Sequence, residues 1–329
     1  MLSIPHAALR DRATALARSA AWGELVSLLD AHANDGAGEV PELVALRAES
    51  LLRTGQPREA RACLAARMDG AALHRERPTL RRATNLLGAA HFALGELEAA
   101  RRAFEQALEM GREDEDDLLV ARATNNLGAI ANIRGQREQA LALYQLAIPV
   151  YQRLGSPLGL AQAFHNMAIT FRDLGQLARA DECERRAIEF ARQGGSEHLV
   201  ALARLGRADV SLRGGDAALA EAGARHAAQS FAALGDAINR ADALRLVGAA
   251  CLARGDHVAA AQALDTALSL ARARGSALHE AEALRTRAEL RRAQGDEPAA
   301  RADAEAAVAV FQQLGASEDA ERLRTWMGG

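Results

Sequence analysis

The sequence predicts an all-α chain, a solenoid of about eight antiparallel helical hairpins closed by a C-terminal capping helix. Three observations predict it. Glycines recur at Gly55, Gly95, Gly135, Gly175, Gly215, Gly255 and Gly295, each 40 residues after the last. Five residues beyond each of them stands an alanine: Ala60, Ala100, Ala140, Ala180, Ala220, Ala260 and Ala300. Between these markers the apolar residues fall at helical spacing, as in Ala123, Leu127, Ile130 and Ala131, then Ala140, Leu143, Tyr144, Ala147 and Ile148. Apolar residues at i, i+3, i+4 and i+7 make an amphipathic helix. A glycine between two such runs stops the first, because it alone takes the left-handed backbone conformation without a side-chain penalty. One hairpin cannot bury its own apolar face, so it stacks on neighbours of the same kind.

The small columns have a steric reason. Seven residues before each turn the side chain is again small: Ala48, Gly88, Gly128, Ala168, Ala208, Gly248 and Ala288. Twelve residues after it six repeats carry alanine, at 107, 147, 187, 227, 267 and 307, and the first carries Arg67. Helix axes approach to roughly 8–10 Å only where contact positions carry little bulk. A second glycine register, Gly155, Gly195, Gly235, Gly275 and Gly315, ends the second helix of the later units.

In chain order, residues 8–34 read as a degenerate first hairpin turning at Trp22-Gly23, and Asn34 to Pro41 as a loop. The Gly55 unit follows, then an irregular join around Asp69 to Pro78, and from Thr79 the units run regularly. The acidic run from Glu113 to Asp117 places favourable charge at a helix N-terminus. Pro149 is expected to kink its helix or narrow the last turns. Ser317 is expected to cap a last helix from Glu318 to Met327, with Leu323 and Trp326 covering the final hairpin. The expected division is residues 1–40 as an N-terminal cap, 41–315 as seven hairpins and 316–329 as the capping helix.

A small residue, a turn glycine, alanine five later and alanine twelve later resemble the tetratricopeptide repeat, and Ala83-Thr84-Asn85-Leu86-Leu87-Gly88 is similar to the signature of its first helix. The resemblance covers about residues 41–315 and implies a right-handed superhelix. The usual repeat has 34 residues. Six more residues per unit add about 9 Å of helix. The longer form resembles the repeats of kinesin light chain and of bacterial signal-sensing regulators. The aromatic column of the family is present only as Phe104 and Tyr144.

Composition excludes several function classes. Net charge is −3, which offers no general affinity for nucleic acid or an anionic membrane. The chain contains no lysine, so it has neither a Schiff-base nor a phosphate-loop lysine. Cys63, Cys183 and Cys251 are scattered and odd in number, which fits buried free thiols rather than disulfides or a metal site. No signal peptide and no 18-residue apolar stretch is found, so a cytoplasmic protein is expected, and the resemblance to bacterial signal-sensing repeats implies a bacterial one. No metalloprotease, nucleophile-elbow, paired-cysteine or phosphate-loop motif is present. A non-enzymatic protein without cofactor or metal is expected, with a protein or peptide partner, a possible homo-oligomer, and neither nucleic acid nor membrane.

The resemblance implies that the first helix of each hairpin lines a concave groove. Its groove positions give Arg82 and Asn85, then Arg122, Asn125, Asn126 and Asn132, then His165, Asn166 and Arg172. Asparagine is a poor mid-helix residue because its side chain competes for backbone hydrogen bonds. One reading is an amide ladder that clamps an extended peptide through paired donors and acceptors. The other is that these asparagines bond a neighbouring helix. Arg82 and Arg122 suit an acidic side chain or a C-terminal carboxylate; the other reading is that they are solvated surface arginines. Further on, Asp242 with Arg245 and Glu282 with Arg285 form a secondary, ionic stretch of groove. Two functions follow: a scaffold binding a peptide or protein segment, or a ligand- or peptide-sensing regulatory domain whose superhelix changes pitch.

Overall fold

The computed structural model describes residues 6–19, 21–32, 40–68 and 75–328, and among them all regular structure is helical. Seventeen helices pair into eight hairpins and a final helix. They are α1 (His6–Arg18) with α2 (Trp22–Ala31), α3 (Pro41–Arg53) with α4 (Pro57–Ala65), and α5 (Arg77–Ala93) with α6 (Leu97–Glu113). Next come α7 (Asp117–Ile133) with α8 (Arg137–Arg153), α9 (Pro157–Asp173) with α10 (Leu177–Gln193), and α11 (Glu197–Arg213) with α12 (Ala217–Ala233). The last pairs are α13 (Ala237–Ala253) with α14 (His257–Arg274) and α15 (Ala277–Ala293) with α16 (Glu297–Gln313), followed by α17 (Ser317–Gly328). The fold is an all-α solenoid. Contacts divide it into two compact units, residues 1–123 and 124–329.

The repeat punctuation acts as the spacing requires. Every turn glycine from Gly55 to Gly295, and every one from Gly155 to Gly315, has φ between 58° and 90°. Glu115 stands where the second register would place a glycine, and it takes the same left-handed conformation at φ 54°. Past several turns an aspartate or serine starts the next helix. Asp216, Asp236, Asp256 and Asp296 accept from the backbone N–H three residues on, as Ser196 does. Such caps contribute about 1 kcal/mol each. Gly-Asp therefore ends one helix and opens the next.

Three features differ from the sequence reading. The first helix ends at Arg18, and Trp22 and Gly23, where the turn is expected, already belong to α2. Ser317 is the first residue of α17 rather than its cap. Of the acidic run, Glu113 ends α6 and Asp114 caps it, both bound by Arg77, while Asp116 caps α7 through Leu119 N–H. The helix carrying Pro149 continues through it, with the proline on the exposed face. The expected loop and join fall on residues 33–39 and 69–74, outside the described residues, and Pro41 and Pro78 lie in the first turns of α3 and α5.

Size complementarity sets the packing within a hairpin. The alanines five residues past each turn are all fully buried. A Cβ added at Gly88 would lie 2.6 Å from the Phe104 ring, one at Gly128 2.5 Å from Tyr144, and one at Gly248 2.6 Å from Leu264. Where the opposing column is alanine, as at Ala224 and Ala304, the facing residues are Ala208 and Ala288. At Gly88, Gly128 and Gly248 glycine thus stands against a large partner. Gly128→Ala should overpack Tyr144, at about 1–3 kcal/mol, and exceed the gain of up to about 1 kcal/mol in helix propensity. Gly23→Ala, with open space at its Cβ, should not destabilise. Urea denaturation of the two variants tests the opposite signs.

Candidate functional site

In the first unit the site grows from α3. Glu49 is bound by Arg82 of α5 and lies 3.7 Å from Arg53. Burial pushes its pKa up, but Arg82, Arg53 and Arg122 together bring it below the ordinary 4.5. One carboxylate among three guanidinium groups leaves a local surplus of positive charge. Beside it opens a recess of about 870 Å³ whose charged lining is balanced, Arg10, Arg18 and Arg82 against Asp11, Glu42 and Glu49, with Trp22 and Thr79 beside them. Arg53 also stacks over Trp22, 5.8 Å from the ring centre. Asn85 is half-buried in the same helix as Arg82, and Arg122 is exposed on α7.

In the second unit the amide residues meet one another. Asn166 Nδ2 donates to Asn125 Oδ1 at 3.3 Å, and Asn166 Oδ1 accepts from Gln162 Nε2 at 3.1 Å. Asn125 is only 2% exposed. These carboxamides therefore tie α7 to α9 and direct part of their bonding capacity inward. Asn126 is half-buried. Asn132 donates to Asp173 at 3.3 Å, while its Oδ1 is buried without a hydrogen-bond partner.

An ionic lining continues from there. Arg172 reaches Asp173 at 2.9 Å and Asp209 of α11 at 2.5 Å. Arg213 lies 3.4 Å from Asp209. Burial raises the pKa of Asp209, yet Arg172, Arg245 and Arg213 hold it below 3.8. Asp242 pairs with Arg245 at 2.8 Å, and burial is again outweighed, so its carboxyl stays below the ordinary value. Glu282 binds Arg285, which also reaches Asp319 of α17 at 3.3 Å. The secondary pairs of the sequence reading thus belong to one set of linked charges that also takes in Asp209 and Asp319.

A buried pair escaped the sequence reading. Glu184 stands 40 residues after Tyr144, in the column that holds Phe104, Tyr144 and Leu264. It is 1% exposed, and both its oxygens lie 3.0 Å from His165 Nδ1. A side chain at Gly206 would collide with it. Burial pushes the Glu184 pKa up, and His165 opposes the shift. The signal was in the sequence: a carboxylate interrupting an otherwise apolar or small column.

The three cysteines are free and buried. Among the described residues no cluster of His, Cys, Asp and Glu suits a metal ion, and no helix is long and apolar enough to cross a membrane.

Tetratricopeptide-repeat family models match residues 80–113 and 119–193. No curated protein matches the sequence. Among solved structures, a Rap protein complexed with competence and sporulation factor is similar, at 14% identity and a TM-score of 0.63, over 98% of this chain and 96% of that one. The apo form of RapI follows at 12% identity and 0.58, over 83% and 98%. A signal-transduction ATPase with a tetratricopeptide-repeat sensor from Pyrococcus horikoshii gives 15% and 0.56, over 88% of this chain and 43% of its own. At these identities the likeness shows the fold.

Proposed function

The chain is a tetratricopeptide-repeat protein, and from that premise we propose that it is a non-enzymatic scaffold binding a peptide or protein segment through an acidic group. The observation that carries this reading is the arginine surplus around Glu49. Arg82 and Arg122 offer forked donors matched to a carboxylate. Glu49 holds the guanidinium groups in place, and the adjoining recess gives room for neighbouring residues of the segment. The second unit supplies a separate polar lining, from Asn126, Asn132, His165 and Arg172 to Arg285, but its charges are largely paired internally. That lining suits a polar, elongated guest that exchanges hydrogen bonds with it.

The test compares pull-downs from native lysate, quantified by mass spectrometry, using the parent chain and an Arg82→Glu/Arg122→Glu variant. A specific partner should fall by about tenfold or more, as for a charge-assisted contact at the centre of an interface. A second variant, Asn125→Ala/Asn126→Ala/Asn166→Ala, reports on the amide ladder. Undiminished recovery with the arginine variant would remove the acidic-group reading. Undiminished recovery with the asparagine variant would leave those residues as interhelical ties.

A sensing role is the second reading, favoured by one contact that joins distant parts of the second unit, Arg137 with Glu318. The Rap and sensor-ATPase structures are compatible with it. Small-angle scattering with and without candidate effectors separates the two, since a passive scaffold keeps its dimensions.

A further inference from the structure

In a helical solenoid each repeat packs on its sequence neighbours. The second unit departs from this at one place. Glu318, at the start of α17, forms an ion pair with Arg137, 181 residues earlier, at the turn between α7 and α8. The same carboxylate fills the space above Gly135, where an added Cβ would lie 2.9 Å from it. Ile133 packs against the apolar cluster built from α14 to α17, which includes Leu323, Trp326 and Met327. From the other side Arg285 reaches Asp319, and Arg292 stacks 3.6 Å over the Trp326 ring while donating to the Trp326 carbonyl at 2.8 Å. The last helix therefore does more than cover its own hairpin. It also touches the hairpin where the second unit begins.

The contact leaves bonding capacity unused. Arg137 Nε and Asn132 Oδ1, both at the same turn, are buried without hydrogen-bond partners. Water would satisfy both if the helix end withdrew. Asp319 is placed among carboxylates as well. Burial, then Glu282, hold its pKa above the ordinary value against the opposing pull of Arg285 and Arg322, and Asp173 adds to the rise. Closure thus combines the ion pairs of Glu318 with Arg137 and of Asp319 with Arg285, and the packing of Ile133, with two buried polar atoms that open solvent would serve better. A permanent structural seam has no need of such a balance.

We propose that the N-terminal end of α17 is a displaceable clasp over the inner lining of the second unit, held by Glu318 on Arg137, which must open before a guest reaches Asn132, Arg172 and Asp173. The consequence for binding rests on the scaffold reading, whereas the clasp stands or falls without any ligand.

Hydrogen exchange read by mass spectrometry tests it on the full chain, in the parent, Arg137→Glu, Glu318→Arg and the double exchange. Each single variant should speed exchange across the first turns of α17 and at the 133–137 turn by about tenfold, with α9 to α14 unchanged. The double exchange restores the pair with its charges reversed and should return both segments to near the parent rate. Far-UV circular dichroism identifies a variant that has lost helicity altogether, and the double variant then decides. Parent-like exchange in both single variants would overturn the clasp, as would a double variant as fast as the singles.

Discussion

His165→Ala should destabilise the protein by about 3 kcal/mol or more at neutral pH, while Glu184→Leu should leave it as stable as the parent or stabilise it by about 1–4 kcal/mol. The asymmetry follows from burial. Removing one partner of a buried pair strands a charge, whereas replacing the charge by a fitting apolar group removes the desolvation cost. Glu184 is 1% exposed, its described hydrogen bonds go to His165, and its column holds leucine at Leu64 and Leu264. The pH dependence has a definite sign. The folded Glu184 pKa lies above the ordinary 4.5 because burial raises it, so the folded chain keeps a proton that the unfolded chain releases. Its favourable contribution is complete below that ordinary value and is lost as pH rises through the folded one. Deleting His165 removes an opposing influence and moves the folded value further up. The deficit of His165→Ala should therefore grow as pH rises through the parent's folded value, which lies above 4.5, and shrink below it. Urea denaturation across pH decides: equal losses in both variants, or a deficit independent of pH, would make Glu184 a packing residue whose charge is immaterial.

Arg172→Met should cost about 3–5 kcal/mol, the range for breaking a buried charge pair. Arg172 bridges Asp173 and Asp209 at 2.9 and 2.5 Å, and Asp209 is 9% exposed. Arg213 and Arg245 remain near Asp209 and set the loss toward the lower end. The sign with pH is opposite to that of Glu184. Although burial raises it, Asp209 is held below 3.8 by arginine, so its contribution is present above that value and disappears as pH falls through the folded one. In the variant this acid loss should begin at higher pH. Arg272→Met is the control: its pair with Glu280 at 2.7 Å is more than half exposed on the arginine side, and such pairs contribute less than about 1 kcal/mol. A similar loss in both variants would show that the inner lining is no more desolvated than the surface.

Most of the architecture was legible because its causes are local. A left-handed turn demands glycine or tolerates very little else, and a close helix crossing demands a small side chain. Both leave marks at fixed spacing, in the turn glycines and in the alanine at 60, 100 and 140. The first hairpin lacked those marks, and its turn was misplaced onto Trp22 and Gly23, which open α2. For the candidate groove residues, helical phase offered positions but not interactions. Helical phase placed Asn125 and Asn166 on one face. Whether each met solvent or the other depended on how closely α7 and α9 pack, and they bond across that gap.

By itself, then, the sequence determined the repeat, the hairpin and the small contacts that let helices approach. Each of these is settled within one unit of 40 residues or between adjacent ones. Only the tertiary structure decided that Glu184 is buried against His165 and Gly206, and that Glu318 returns to Arg137. The physical reason is range. Turn and packing preferences act over a few residues, whereas a contact across 181 residues depends on small displacements summed over every hairpin between.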